Sequence, residues 1–483
     1  MKARIFAEEN RKWWTLAAVA FGLFMIMLDN TIVNVALPSI QRDLHMPISS
    51  LEWVVTAYAL TFAALLITGG KLGDLYGRRR LFTAGLVVFT LASLLCGLAP
   101  SSGFLIGMRA LQGVGAAMMN PATLSIISAT FPPKERGQAI GIWAGVSALA
   151  LAIGPLVGGL IVDNISWNWI FYVNVPVGVI GIVVSRLVIS ESRDTSHEQS
   201  IDLPGLFTSG AGLFALSYAL IEGNRHGWAS PEIIGLFVAA VVLLVAFVVL
   251  EHRQRLPMLD LSLFRIGAFT GANLVAMLVS LGMFGVFFFI SLYVQNILGF
   301  SPTKAGAIFL PMTVLIIIVA PIAGKLSDRV GSRWLMGAGM TLVGISLLLY
   351  QDVGLHTTFW GLLPQLLLGG VGMAMTMSPM TAAAMGAVPV DKAGVGSGVL
   401  NSFRQVGGSL GIALMGAILV SYQVPGVSRE VATQNFLDGL HAALLVAAAI
   451  TFAAAIVAVA LVRTRPEVER AHMTEATAAE AGI

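Results

Sequence analysis

Fourteen apolar stretches, each about as long as a helix that crosses a bilayer, follow one another along the chain. They fall near 14–37, 50–69, 81–99, 104–130, 139–161, 168–189, 204–222, 231–250, 268–292, 304–323, 334–350, 358–388, 395–421 and 437–462. About 20 apolar residues cross the hydrocarbon core as a helix. Lipid offers no partner to a bare N–H or C=O, so each stretch must satisfy its backbone internally. Only 11% of residues are charged and 57% are hydrophobic, against about 25% charged in soluble chains. The expectation is an all-α polytopic membrane protein with fourteen transmembrane helices.

An even number of spans puts both termini on one side. With the termini inside, the inner loops and tails hold 21 of the 28 Lys and Arg residues. The outer loops hold four (Arg42, Arg225, Lys304 and Arg429), and Arg109, Arg186 and Arg404 fall within apolar stretches. Positive loops stay inside, so both termini are expected in the cytoplasm, with the protein multi-pass in the cytoplasmic membrane. Lys2, Arg4, Arg11 and Lys12 precede the first stretch, and no small-residue cleavage site follows it. It reads as a retained helix rather than a signal peptide. The net charge of +3 therefore has a topological role and gives no reason to expect nucleic acid.

Several chemistries find no footing. The lone Cys96 excludes an internal disulfide and a multi-Cys metal site. No Gly-x-x-x-x-Gly-Lys-Ser/Thr loop is present to bind a nucleotide. No His/Cys metal spacing or Ser/His/Asp arrangement stands out. No enzyme activity, metal or cofactor is expected.

The segment Gly70-Lys71-Leu72-Gly73-Asp74-Leu75-Tyr76-Gly77-Arg78-Arg79-Arg80 reads as a charged loop between the second and third stretches. It recurs 254 residues later as Gly324-Lys325-Leu326-Ser327-Asp328-Arg329-Val330-Gly331-Ser332-Arg333. Gln112–Met118 in the fourth stretch similarly pairs with Gly369–Met375 in the twelfth. Two six-helix halves joined directly would repeat at a shorter interval, so the seventh and eighth helices read as an insert. The expected organisation is 1–13 as a cytoplasmic segment, 14–190 as a six-helix bundle, 191–265 as the insert with its loops, 266–463 as a second six-helix bundle and 464–483 as a polar tail.

Within the stretches, polar residues are costly and so informative. Asp29 lies in the first, at about 2.5–3.5 kcal/mol by insertion scales for such a charge. Fifteen residues past Trp14, at 1.5 Å each, it sits in the outer half. Arg109 in the fourth stretch lies at similar depth, so the two can meet directly or through water. Each also has a purely structural reading: Asp29 as an ion-pair partner or cap, Arg109 as a donor to backbone carbonyls. Asn30 and Asn34 share a helix face. In the fifth stretch, Pro155 favours a kink, and Gly154, Gly158 and Gly159 allow close helix approach. Gln112, Met118, Phe284, Phe288, Met373, Met377 and Arg404 are further candidates to line a central cavity. Met suits promiscuous binding because it is flexible and polarizable, although apolar filling is its commoner use.

The 70–80 segment and its repeat resemble the major facilitator superfamily. Leu28-Asp29-Asn30-Thr31-Ile32-Val33-Asn34-Val35-Ala36-Leu37-Pro38 resembles the first-helix signature of its fourteen-helix drug:proton antiporters, the EmrB/QacA-like branch. Gly154-Pro155-Leu156-Val157-Gly158-Gly159 is similar to the Gly-Pro motif of antiporters. Trp167-Asn168-Trp169 departs from the family pattern, which has Arg between the tryptophans. The resemblance implies proton-driven efflux of small hydrophobic or cationic drug-like compounds by alternating access. Asp29 and Arg109 would couple protons, and Gly70, Gly73, Asp74, Gly77, Arg78 and Asp328 would form a cytoplasmic gate. No acid lies well inside the ninth, tenth, twelfth or thirteenth stretch, which argues against a preference for dications. A dedicated exporter of one metabolite or antibiotic, a non-transporting membrane sensor and a facilitative importer are the alternatives. The lipid bilayer is the expected surround, and the sequence identifies no periplasmic or outer-membrane partner.

Overall fold

The computed structural model of the chain describes residues 8–193, 202–254, 257, 259–388, 393–424 and 426–462. The first seven residues and the expected tail at 464–483 lie outside the described residues. The first five spans are α1 (Glu8–Asp43), α2 (Ile48–Tyr76), α3 (Arg78–Gly97), α4 (Ser102–Thr130) and α5 (Pro133–Asn164). The sixth is split into α6 (Trp169–Tyr172) and α7 (Asn174–Val188). α8 (Leu203–His226) and α9 (Pro231–Arg253) follow. The ninth span, α10 (Gly267–Leu292), ends in a π-helical turn at Tyr293–Ile297. The tenth comprises α11 (Pro302–Ile308) and α12 (Leu310–Val330), and the last four are α13 (Ser332–Leu349), α14 (Phe359–Gly386), α15 (Ala393–Ser421) and α16 (Arg429–Leu461).

Thirteen of these spans are long and apolar enough to cross a membrane. The remaining one, α4, is 29 residues long, and Arg109, Gln112 and Asn120 dilute its apolar character. The expected stretches thus all appear as helices, and most extend beyond the boundaries read from hydropathy. α1 reaches Asp43 with Pro38 inside it, and α5 carries Pro155. Neither proline ends its helix, because packing against neighbouring helices holds the interrupted turn.

The segment expected to be a loop at 70–80 is almost wholly helical. α2 runs through Tyr76, one residue turns the chain, and α3 begins at Arg78. That residue is Gly77, with φ +110°, and its counterpart Gly331, with φ +91°, joins α12 to α13 in the same way. A Cβ is strained at such angles, so glycine is the residue for a one-residue corner. The repeat seen in the sequence therefore recurs as geometry.

α1–α7 pack mainly on one another, as do α10 and α12–α16, whereas α11 packs mainly on α5. α8 packs on α9, α15 and α2. α9 is the most lipid-exposed span, with only 11% of its apolar window buried against 78% for α2. Two faces can be named without reference to topology: the N-terminal face, where α1 begins, and the far face, where α1 ends. Bonds between the first six and last six spans cluster toward the far face. Ser291 Oγ donates to Asn34 O at 2.8 Å, and Gln295 Nε2 donates to Val35 O at 3.0 Å. Asn296 Nδ2 donates to Gln41 Oε1 at 3.4 Å.

Candidate functional site

The first six spans enclose one polar network. Asp29 is fully buried and Arg109 is 1% exposed. Arg109 Nη1 donates to Asp29 Oδ2 at 2.5 Å and to Gln112 Oε1 at 2.7 Å. Arg109 Nε donates to Val54 O at 3.0 Å, so this arginine meets both Asp29 and a backbone carbonyl. Its guanidinium lies 4.4 Å from the Tyr58 ring centroid, within cation–π range. Gln112 Nε2 donates to Asp29 Oδ1 at 2.8 Å. Asn174 Nδ2 reaches Asp29 Oδ1 at 3.5 Å and donates to Ser93 Oγ at 3.0 Å. Ser93 in turn donates to Phe171 O at 3.0 Å. Each of α1, α2, α3, α4, α6 and α7 contributes at least one atom.

Buried charges are tolerated when paired and hydrogen-bonded. Asp29 gains Arg109 and up to two amide donors, and Arg109 retains a carbonyl, an amide oxygen and an aromatic face. A proton added to Asp29 would remove the ion pair without stripping Arg109 of its other contacts.

Gln112, expected at the cavity, is instead fully buried within this network. Its position three residues after Arg109 turns it toward Asp29 rather than toward open space. Asn174, Ser93 and Tyr58 were not among the expected site residues. Asn174 offered a signal, being an amide that begins an apolar helix; Ser93 offered none. Asn30 is buried, whereas Asn34 is half-buried and donates to Asn30 O at 3.3 Å.

Phe288, also expected at the cavity, is fully buried, with its ring 4.7 Å from that of Phe289. Helix phase explains the correction: α10 turns Phe284 and Phe287, not Phe288, to its half-exposed side. Met118, Met373, Met377 and Arg404 are half-buried. Among the described residues, Arg404 forms neither a hydrogen bond nor an ion pair. Two surface clefts of about 430 and 440 Å³ lie elsewhere, the first lined by Arg79, Arg80 and Arg186 and the second by Arg42, Asp43 and Trp167. None of the expected cavity residues lines either.

At the N-terminal face, Asp74 Oδ1 accepts from Arg78 Nε at 2.8 Å and lies 2.7 Å from its Nη2. This pair bridges the Gly77 corner. Glu191, which the sequence did not single out, completes the cluster from the end of α7. Its carboxylate accepts from Arg79 N at 3.0 Å and lies 3.6 Å from Arg79 Nε. The carboxyl sits 2.6 Å from where a Gly77 Cβ would be. Gly70 lies beside Pro121, and Gly73 beside Leu81. The side chain of Asp328 lies outside the described residues.

The α5 motif forms a three-way contact. A Cβ on Gly154 would overlap Thr31, and one on Gly158 would come within 2.8 Å of Ile32. Gly159 meets Pro302 and Thr303 of α11, while the Pro155 carbonyl occupies the space beside Gly306. The small residues thus let α5 touch α1 on one side and α11 on the other.

A sequence model of the Major Facilitator Superfamily matches residues 19–412 and, overlapping, 272–481. The chain belongs to this superfamily. It is 37% identical over 469 residues to the puromycin resistance protein of Streptomyces alboniger, covering 95% of this chain and 93% of that one. It is 38% identical over 411 residues to the multidrug resistance protein Stp of Mycobacterium tuberculosis, covering 84% of this chain and 76% of Stp. An inward-facing bacterial homologue of the human lysosomal transporter Spinster shares the fold, with a TM-score of 0.66 at 18% identity, covering 95% and 98% of the two chains. This major facilitator protein is therefore a multi-pass membrane transporter, and its buried ion pair lies inside the membrane-spanning part of a carrier.

Proposed function

We propose that this major facilitator protein exports drug-like, largely hydrophobic compounds from the cytoplasm in exchange for protons. It is not an enzyme in this reading. Both termini lie in the cytoplasm, so the far face is the outer one. Residues 14–190 and 266–463 are two bundles that rock about a central cavity, with 191–265 inserted between them. Substrate binds near the midplane, as in carriers built from repeats. Asn30, Asn34, Met118, Phe284, Met373, Met377 and Arg404 face it in the course of the cycle.

The observation that carries the proposal is the buried Asp29–Arg109 pair, which gives a proton a defined place to act. Protonation of Asp29 from outside neutralises the carboxylate and frees Arg109 from the ion pair. Return to the inward-open state lets Asp29 lose that proton to the cytoplasm. Contacts of Asn34, Val35 and Gln41 with α10 and the turn after it hold the far face shut. In the opposite state, Gly70, Gly73, Asp74, Gly77 and Arg78, with Asp328 in the repeat, close the cytoplasmic side. The α5 motif, Gly154-Pro155 with Gly158 and Gly159, keeps α5 against both α1 and α11.

Relatives named for resistance to puromycin and to multiple drugs support the substrate class. The test is accumulation of a panel of chemically unrelated dyes and drugs in cells that express the chain. Lower accumulation of several unrelated compounds is expected. Unchanged accumulation of every member would overturn the multidrug reading.

A further inference from the structure

Glu52 stands near the far-face end of α2, at the opposite end of the helix from Asp74, yet is only 1% exposed. Neither of its carboxyl oxygens has a hydrogen-bond partner among the described residues. The carboxyl fills the space beside Gly416 of α15, where an added Cβ would overlap it. Glycine at 416 is therefore the socket for an acid that crosses from the first bundle to the second. The inserted helix α8 closes the remaining side. Trp53, Ala57, Leu60, Ile221 and Ala413 form an apolar cluster around the junction. Asn224 of α8 donates to Ala417 O at 2.5 Å, one residue from the socket.

The ionisable groups around Glu52 do not neutralise it. On α8, Glu222 is another buried acid, and its partner Arg225 stands 3.8 Å from it with 73% of its side chain exposed. Tyr218 packs on Trp53 with ring centroids 6.1 Å apart. On α4, Arg109 is held by Asp29, Gln112 and Val54 O. On α2 itself, Tyr58 lies against that guanidinium. α15 carries no ionisable side chain between Ser409 and Ser421.

We propose that Glu52 is a second proton-binding group, which takes up a proton when α2, α8 and α15 close around it and returns it when they part. An ionised carboxylate sealed without donor or cation loses its hydration with nothing to replace it. The neutral acid forfeits only unmade hydrogen bonds. Closure of the far face thus requires a proton on Glu52, and opening hydrates the carboxyl and releases it to the same side. That proton is not carried across; it sets how readily the far face opens. The proposal rests on the alternating-access reading above but not on Asp29 being the coupling site.

The test is the distance across the far face in the full chain in lipid nanodiscs, by electron–electron double resonance. Spin labels go on Arg42→Cys and Gln423→Cys, two exposed positions on either side of the junction; native Cys96 is buried. In the wild-type background the open population is expected to rise with pH, about tenfold per pH unit for one linked proton. Glu52→Gln should stay closed and lose that slope, while Asp29→Asn keeps it. Infrared spectra should show a protonated carboxylic acid band in the closed protein that Glu52→Gln lacks. Because Gln conserves shape, its folding is checked by an unchanged elution profile. Gly416→Ala, which pushes the carboxyl from its socket, should raise the open population even at low pH. A Glu52→Gln protein with the wild-type slope, or an unchanged acid band, would overturn the proposal. Loss of the slope in Asp29→Asn with its retention in Glu52→Gln would assign the response to Asp29 and leave the antiport reading standing.

Discussion

Asp29 and Arg109, 80 residues apart in sequence, meet at 2.5 Å with almost no exposure of either side chain. Removing one partner strands the other charge away from water, at a cost of about 3–5 kcal/mol. Arg109→Ala should therefore lower the thermal unfolding temperature of purified protein far more than Asp29→Asn/Arg109→Gln, which removes both charges. Equal destabilisation by the two would show that the pair carries no such penalty.

Gly77 and Gly331 occupy equivalent corners. Both have positive φ, and at Gly77 the Glu191 carboxyl fills the space that a Cβ would take. A non-glycine residue held at such angles costs about 1–3 kcal/mol. Gly77→Ala is expected to destabilise the protein, and Glu191→Ala should recover part of the loss. Thermal unfolding of the single and double variants checks this; an indifferent Gly77→Ala would contradict it.

The pair Asp74–Arg78 is partly exposed, at 28% and 19% of the two side chains. Pairs of this kind are worth about 0–1 kcal/mol. Asp74→Asn should leave unfolding nearly unchanged while impairing export, if its role lies in switching between states. A large stability loss with normal export would reverse that assignment.

Gly158 faces Ile32 with too little room for a methyl group. Overpacking of this kind costs about 1–3 kcal/mol. Gly158→Ala should weaken the α1–α5 contact, and Ile32→Val in the same chain should relieve it. Export of a transported dye by the single and double variants measures the effect; full export by Gly158→Ala would contradict it.

Arg404 has no hydrogen-bond or ion-pair partner among the described residues. Arg404→Met is expected to be at least as stable as the wild type and to change which compounds are exported. A strongly destabilised Arg404→Met would mean that the guanidinium has a structural role.

The spans were legible because a backbone in lipid must be helical, so apolar length alone locates them. Asp29 and Arg109 were legible because a charge there is costly, and counting residues set both at one depth. Hydropathy ends where charges begin, which is why Gly70–Tyr76 read as loop although α2 continues through it. Helix phase, which hydropathy does not resolve among residues that are all apolar, decided that Phe288 is core and Phe284 is half-exposed. Gln112 looked like cavity lining until the network showed what it faces. Glu191 and Glu52 sit at span ends, where acids are ordinary; only the packing of Gly77 and Gly416 against them sets them apart.

The most direct measurement is proton release from acid-loaded inside-out vesicles when a transported compound is added, wild type against Asp29→Asn at matched expression. The account predicts compound-triggered release in the wild type and none in the variant. Equal release in both would contradict the assignment of Asp29 as the coupling site.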